Sequence, residues 1–227
     1  MEKKIKVKAA IFDMDGTLVN SLMFWDSMAQ DINNQFFKKE NFKLDDEVDK
    51  TVRTMIFSKG MLYIRSFYDL PVTDEEFLDF AAQKLEEFYK NQVKSKAGIF
   101  DMLDFFVEKG VKLCLASATD LKYVKIAVEC CGLSKYFPII LSCSDIGKGK
   151  DQPDIYYKSI EELGVKLEDV CVFEDSPVAL ETAHKAGITT IGVFDQYTPD
   201  QKRVKAASDV YLEEGQSMGD LIPLFEC

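Results

Sequence analysis

Nothing in this chain approaches the roughly 18 consecutive apolar residues that a membrane-spanning helix needs. No signal-peptide core follows its basic start either, so a cytoplasmic protein is expected. Basic charge is scarce: 28 Lys and Arg against 39 Asp and Glu leave a net charge of −11. That balance disfavours nucleic acid as a partner, because a phosphate backbone needs a basic face. Lys3, Lys4, Lys6 and Lys8 form too short a cluster to alter this and read as a solvated strand edge. The six cysteines lack any Cys-x-x-Cys spacing, and Cys114 and Cys171 fall inside apolar, strand-like runs. They read as reduced core residues rather than disulfides or metal ligands. Histidine occurs once, as His184, in a helical stretch where a packing or surface role is the plain reading.

What is present suits a packed globule: 47% hydrophobic and 12% aromatic residues over 227 positions, enough for a core plus a smaller domain. Residues 7–12 read as a short buried strand, and further strand-like runs cover 111–116, 138–141, 170–173, 189–194 and 209–212. Helical patterns at 99–109, 120–131, 154–163 and 176–186 alternate with them, which predicts a parallel, doubly wound sheet. Residues 21–93 break the alternation. They carry helical spacing only, as in Leu22, Trp25, Met28, Ala29 and Ile32, or Phe77, Phe80, Ala81, Leu85 and Phe88. Thr73 followed by Glu76 is a capping-box signature for the last of these helices. The expected organisation is therefore an α/β core of Rossmann-like topology, residues 1–19 plus 95–227, with a smaller all-helical domain inserted at 20–94.

Four polar sites follow the strands in the order such a sheet needs. Asp13-Met14-Asp15-Gly16-Thr17 ends the first strand, and Ser117 with Thr119 ends the next. Lys150 precedes a helix in a Gly/Lys stretch, and Glu174-Asp175 ends a later strand, with Ser176 and Pro177 placed as N-cap and first helical residue. Each alone has a bland explanation in turn chemistry, solvation or a helix dipole; the four together point to phosphoryl transfer. Asp13 is the candidate nucleophile. Asp15 is the candidate acid and base for the leaving alcohol and the attacking water. Ser117 and Lys150, with backbone N–H groups around Asp15 and Ser117 (Ala118 among them), are candidate phosphate ligands. Mg²⁺ would sit on the Asp13 carboxylate, the Asp15 backbone carbonyl and Asp175, with Glu174 or water completing the shell.

These motifs resemble the haloacid-dehalogenase superfamily of phosphatases and phosphomutases, in the branch with a helical cap inserted after the first motif. The resemblance rests on Ile11-Phe12-Asp13-Met14-Asp15-Gly16-Thr17-Leu18, Leu115-Ala116-Ser117-Ala118-Thr119, Lys150-Asp151-Gln152-Pro153-Asp154 and Val172-Phe173-Glu174-Asp175-Ser176, and so spans nearly the whole chain. It implies obligate Mg²⁺ and a cap that closes over the substrate. Asp15 separates the chain from true dehalogenases, which lack that second aspartate. The motifs are similar to the β-phosphoglucomutase and sugar-phosphatase group. Where the mutases place a histidine in the first cap helix, this chain has Trp25, and Ser58-Lys59 is set against their Ser-Arg pair. Ser21, Trp25, Ser58 and Lys59 are thus the cap residues expected at the substrate, although Lys59 also reads simply as a solvated helix charge. The expected function is a monomeric, Mg²⁺-dependent phosphatase of a small phosphorylated metabolite. A phosphomutase is the alternative, and a non-enzymatic phospho-acceptor module a more distant one.

Overall fold

A computed structural model describes residues 4–40, 42–52 and 55–226. Lys3 and Cys227 lie outside them. Six strands form one all-parallel sheet: β2 (Ala9–Phe12), β3 (Lys112–Ser117), β4 (Ile139–Ser142), β5 (Val170–Glu174), β6 (Thr189–Val193) and β7 (Val210–Leu212), in the order β4-β3-β2-β5-β6-β7. The order reverses at β2, which pairs with β3 on one side and β5 on the other. In an open α/β sheet such a switch point opens a crevice at the strands' C-terminal ends. Asp13 is the residue that follows β2.

Burial on both faces explains why β2 is apolar throughout rather than alternating. Ala10 and Phe12 join one buried cluster, Ala9 and Ile11 the other, as the two-residue period of a strand requires. Phe12 stacks on Phe173 of β5 with ring centroids 4.3 Å apart. Truncating a buried phenylalanine of this kind costs about 3–5 kcal/mol. The flanking helices are α5 (Ile99–Glu108), α6 (Leu121–Cys130), α7 (Cys143–Ile146), α8 (Asp154–Leu163), α9 (Pro177–Lys185) and α10 (Gln201–Ala206). Cys114, Cys143 and Cys171 are buried thiols, and His184 is exposed in the last turn of α9, 3.9 Å from Asp209.

The expected strand at 7–12 forms only over Ala9–Phe12, as β2. A separate strand precedes it: β1 (Ile5–Lys6) pairs in parallel with β8 (Phe225–Glu226) in a two-stranded sheet of its own. Val7 N donates to Glu226 O (3.3 Å) and Lys8 N to Asp169 O (2.8 Å), so the chain changes partner at this bend. Lys6 and Lys8 stay solvated, facing Glu226 and Asp169.

Between β2 and α5 the elements among the described residues are all helical: α1 (Phe24–Ile32), a π-helical turn (Asn33–Phe37), α2 (Asp46–Val52), α3 (Phe57–Phe67) and α4 (Asp74–Asn91). The capping box at the start of α4 is complete, with Glu76 N bonded to Thr73 Oγ1 (3.2 Å) and Thr73 N to Glu76 Oε2 (2.9 Å). Its buried stripe runs Phe77, Ala81, Leu85, Phe88 and Tyr89, so the last full turn brings Tyr89 to the strand ends. The two linkers lie side by side: Asn20 N donates to Lys94 O (2.8 Å) and Lys96 N to Leu18 O (2.9 Å). The helical segment also meets α6, through Glu86–Lys122 (3.2 Å) and the edge-on pair Phe57–Tyr123 (6.2 Å). Among the described residues no helix is long and apolar enough to cross a membrane.

Candidate active site

The turn after β2 is built around Met14 O, which accepts from the amides of Thr17, Leu18 and Val19. Gly16 carries it at φ +86°, and a Cβ there would lie 2.6 Å from Asp175 Cγ. Only glycine allows both the left-handed turn and that close approach. The turn and the end of β5 are thereby pressed together, and Thr17 Oγ1 donates to Asp175 Oδ1 (3.3 Å).

Asp13, Glu174 and Asp175 converge at the crevice, all buried, with one carboxylate oxygen of each within 4.8 Å of the others. Lys150 reaches in from the loop before α8, bonding Asp13 Oδ1 and, at 2.6 Å, Glu174 Oε2. Asp13 Oδ2 has no hydrogen-bond partner although it is buried, a costly condition for a carboxylate oxygen. Burial, then the charge of Glu174, pushes the Asp13 carboxyl well above the usual carboxylate range, and Lys150 only partly opposes this. Asp175 is pushed up to about 8 by burial and by Glu174. Burial alone would lower the Lys150 ammonium, but Asp13 and Glu174 outweigh it and hold it well above the ordinary lysine value. With all three carboxylates ionised, one ammonium would leave a negative excess that a hard divalent cation would neutralise. An all-oxygen donor set with one orphaned lone-pair-bearing atom fits Mg²⁺.

Asp15 stands apart from this cluster. Its Oδ1 accepts from Ser21 Oγ (2.6 Å) and Tyr89 OH (2.7 Å), and its Oδ2 from Thr119 Oγ1 (2.8 Å). Burial raises its pKa, and the bonds from Ser21, Tyr89 and Thr119 work against that rise. The side chain therefore does not join the metal-type cluster, which leaves the backbone carbonyl as Asp15's candidate contribution to a metal. Tyr89 is a residue that sequence reasoning missed: an aromatic on the buried face of a helix is indistinguishable there from core.

Ser117 ends β3 beside β2, buried, its Oγ accepting from Thr119 N (3.0 Å), with Ala118 half-buried between them. Ser176 holds the N-cap position of α9 with Pro177 after it, but its side chain makes no capping bond. Instead Glu174 Oε1 accepts from Ser176 N (3.1 Å), so the carboxylate serves that helix start as well as Lys150. Of the residues expected at the substrate from the helical segment, Ser21 is buried against Asp15, and Trp25 is half-buried beside Phe24 and Phe57. Ser58 follows Phe57 and is half-buried, whereas Lys59 is exposed.

A family model described as haloacid dehalogenase-like hydrolase matches residues 10–193, from within β2 to the end of β6. A phosphorylated carbohydrates phosphatase of Thermotoga maritima is 25% identical over 185 residues, covering 82% of this chain and 84% of that protein. A validoxylamine A 7′-phosphate phosphatase of Streptomyces hygroscopicus is 23% identical over 221 residues, covering 91% of this chain and 93% of its own. In fold, the chain is similar to the crystal structure of CbbY from Rhodobacter sphaeroides in complex with xylulose-(1,5)bisphosphate. That match has a TM-score of 0.80 at 20% identity and covers 97% of this chain and 100% of that one. The family match spans well over half the sequence and contains all four polar sites: this chain belongs to the haloacid dehalogenase-like hydrolases.

Proposed function

We propose that the protein is a Mg²⁺-dependent phosphatase of small, sugar-phosphate-like metabolites, acting through an aspartyl-phosphate on Asp13. The observation that carries this reading is Asp13 itself: one oxygen is held by Lys150, and the other is buried without a partner among like charges. Asp13, Asp175, Glu174 and the Asp15 carbonyl would hold the cation. When bound, it supplies the positive charge that lets an anionic phosphate approach this acidic pocket.

Asp13 attacks phosphorus, the bond to the leaving oxygen breaks, and Asp15 delivers a proton to that oxygen. Water then attacks the acyl phosphate with Asp15 taking its proton, which releases phosphate and restores Asp13. Ser117, the Ala118 amide and Lys150 bind the non-bridging oxygens throughout. The two relatives described above are named as phosphatases of phosphorylated carbohydrates and of validoxylamine A 7′-phosphate, which supports a small phosphorylated substrate. We place residues 20–94 as the cap, with Ser21, Trp25 and Ser58 nearest the substrate, and take the working unit to be a cytoplasmic monomer.

The test is phosphate release from a panel of sugar phosphates, nucleotides and phosphoglycolate with MgCl₂. Sustained release from a sugar phosphate is expected. Conversion of glucose 1-phosphate to glucose 6-phosphate without free phosphate would favour a mutase. A single phosphorylation event without turnover would contradict any enzymatic reading.

A further inference from the structure

The loop after β6 makes no part of the four polar sites, yet it reaches the centre of the pocket. Thr198, itself buried, donates its hydroxyl to Asp175 Oδ2, while Thr17 occupies Oδ1. The loop is pinned at several points. Thr198 N bonds Asp195 O (3.0 Å), and Gln201 Nε2 bonds both Asp195 O (2.7 Å) and Thr198 O (3.1 Å). Asp195 Oδ1 accepts from Tyr197 N (2.9 Å). Its Oδ2 accepts from Lys96 Nζ (2.7 Å), which also bonds Phe194 O (3.0 Å). Lys96 belongs to the linker that returns the chain from the helices, where its amide bonds Leu18 O just beyond the Asp13–Thr17 turn.

We propose that Thr198, held in place by the ion pair between half-buried Lys96 and buried Asp195, is a positioning residue that fixes the Asp175 carboxylate for a divalent cation. The inference rests on the reading of Asp13, Glu174 and Asp175 as metal ligands. A carboxylate bonded by a hydroxyl at each oxygen cannot rotate freely, yet each oxygen keeps a lone pair for a metal. The donors are neutral, so they orient Asp175 without competing with a cation for its charge. Of the ammonium groups around it, Lys96 is engaged by Asp195 and Lys150 by Asp13 and Glu174.

Isothermal titration with MgCl₂, without substrate, tests this on the wild type, Thr198→Val, Thr198→Ser and the charge-neutral pair Lys96→Met/Asp195→Asn. Outer partners of metal ligands are worth about 10- to 100-fold in affinity. Thr198→Val should therefore raise the Mg²⁺ dissociation constant at least about tenfold, Thr198→Ser should restore it, and the double variant should weaken it less. Circular dichroism melting of each metal-free variant establishes that it is folded. Wild-type-like Mg²⁺ affinity in folded Thr198→Val would overturn the inference while leaving the metal reading intact. A double variant that binds as the wild type would strike Lys96 and Asp195 from it. Absence of saturable Mg²⁺ binding to the wild type would overturn the metal reading, and this inference with it.

Discussion

Asp13 and Asp15 are separated by one methionine, yet they face opposite kinds of surroundings. Asp13 lies among buried charges, with Lys150 on one oxygen and Glu174 and Asp175 close by. Asp15 lies among hydroxyls, with Ser21, Tyr89 and Thr119 sharing its two oxygens. The turn at Gly16 follows both and presses the chain against Asp175. Two chemically identical groups can thus be assigned different work, a nucleophile under electrostatic control and a proton carrier under hydrogen-bond control. The Asp13 side is built from strand ends of the sheet and the loop before α8. The Asp15 side borrows Ser21 and Tyr89 from the segment between β2 and β3, so its geometry depends on how that segment docks.

If this division holds, substitutions on the two sides should fail differently. The largest effect among them is expected for Asp15→Asn, which should lower kcat by about 10²- to 10⁴-fold while Mg²⁺ affinity stays near wild type. Calorimetry showing comparable loss of metal binding would erase the distinction between the two aspartates. Lys150→Ala should weaken inhibition by inorganic phosphate roughly 10- to 100-fold, the range of a hydrogen bond to a charged group. Unchanged inhibition would remove Lys150 from the phosphate site.

The charged side should also be the one that responds to metal and pH. The folded pKa of Asp175 lies above its unfolded value, at about 8 against 3.8. Its contribution to the metal-free fold is therefore full at low pH and lost as pH rises through that window. Melting temperature after chelation should fall from pH 5 to 8. At pH 8, Mg²⁺ at about a hundredfold excess over its Kd should raise it by roughly 5–10 °C. An Mg²⁺ shift independent of pH would speak against carboxylate crowding as its cause. The smallest effect belongs to the hydroxyl side: Tyr89→Phe removes one of three donors and should lower kcat about two- to tenfold with KM little changed. A larger effect on KM than on kcat would instead make Tyr89 a substrate contact.

The same contrast explains what could be read from the sequence. Asp13, Lys150, Glu174 and Asp175 were legible because each follows a strand or precedes a helix, and strand ends of a parallel sheet converge. Gly16 was legible as a turn, although its closeness to Asp175 was not. Tyr89 sits on the same buried stripe as Phe77 and Leu85, and the periodicity that locates the helix hides the ring whose hydroxyl reaches Asp15. Thr198 and Lys96 were invisible for another reason. Their meaning comes from a loop and a linker that meet only in three dimensions, about a hundred residues apart in sequence. The bend at Val7 and Lys8 escaped notice because one exposed lysine beside a valine reads as ordinary strand alternation and carries no sign of a change in pairing partner.

On the proposed reading, Asp13 accepts the phosphoryl group. Rapid acid quench of the enzyme with substrate and MgCl₂, followed by peptide mass spectrometry, tests it most directly. An acid-stable, hydroxylamine-labile phosphate is expected on Asp13, absent under chelation and in Asp13→Asn. A phosphate found on another residue, or full turnover by Asp13→Asn, would contradict it.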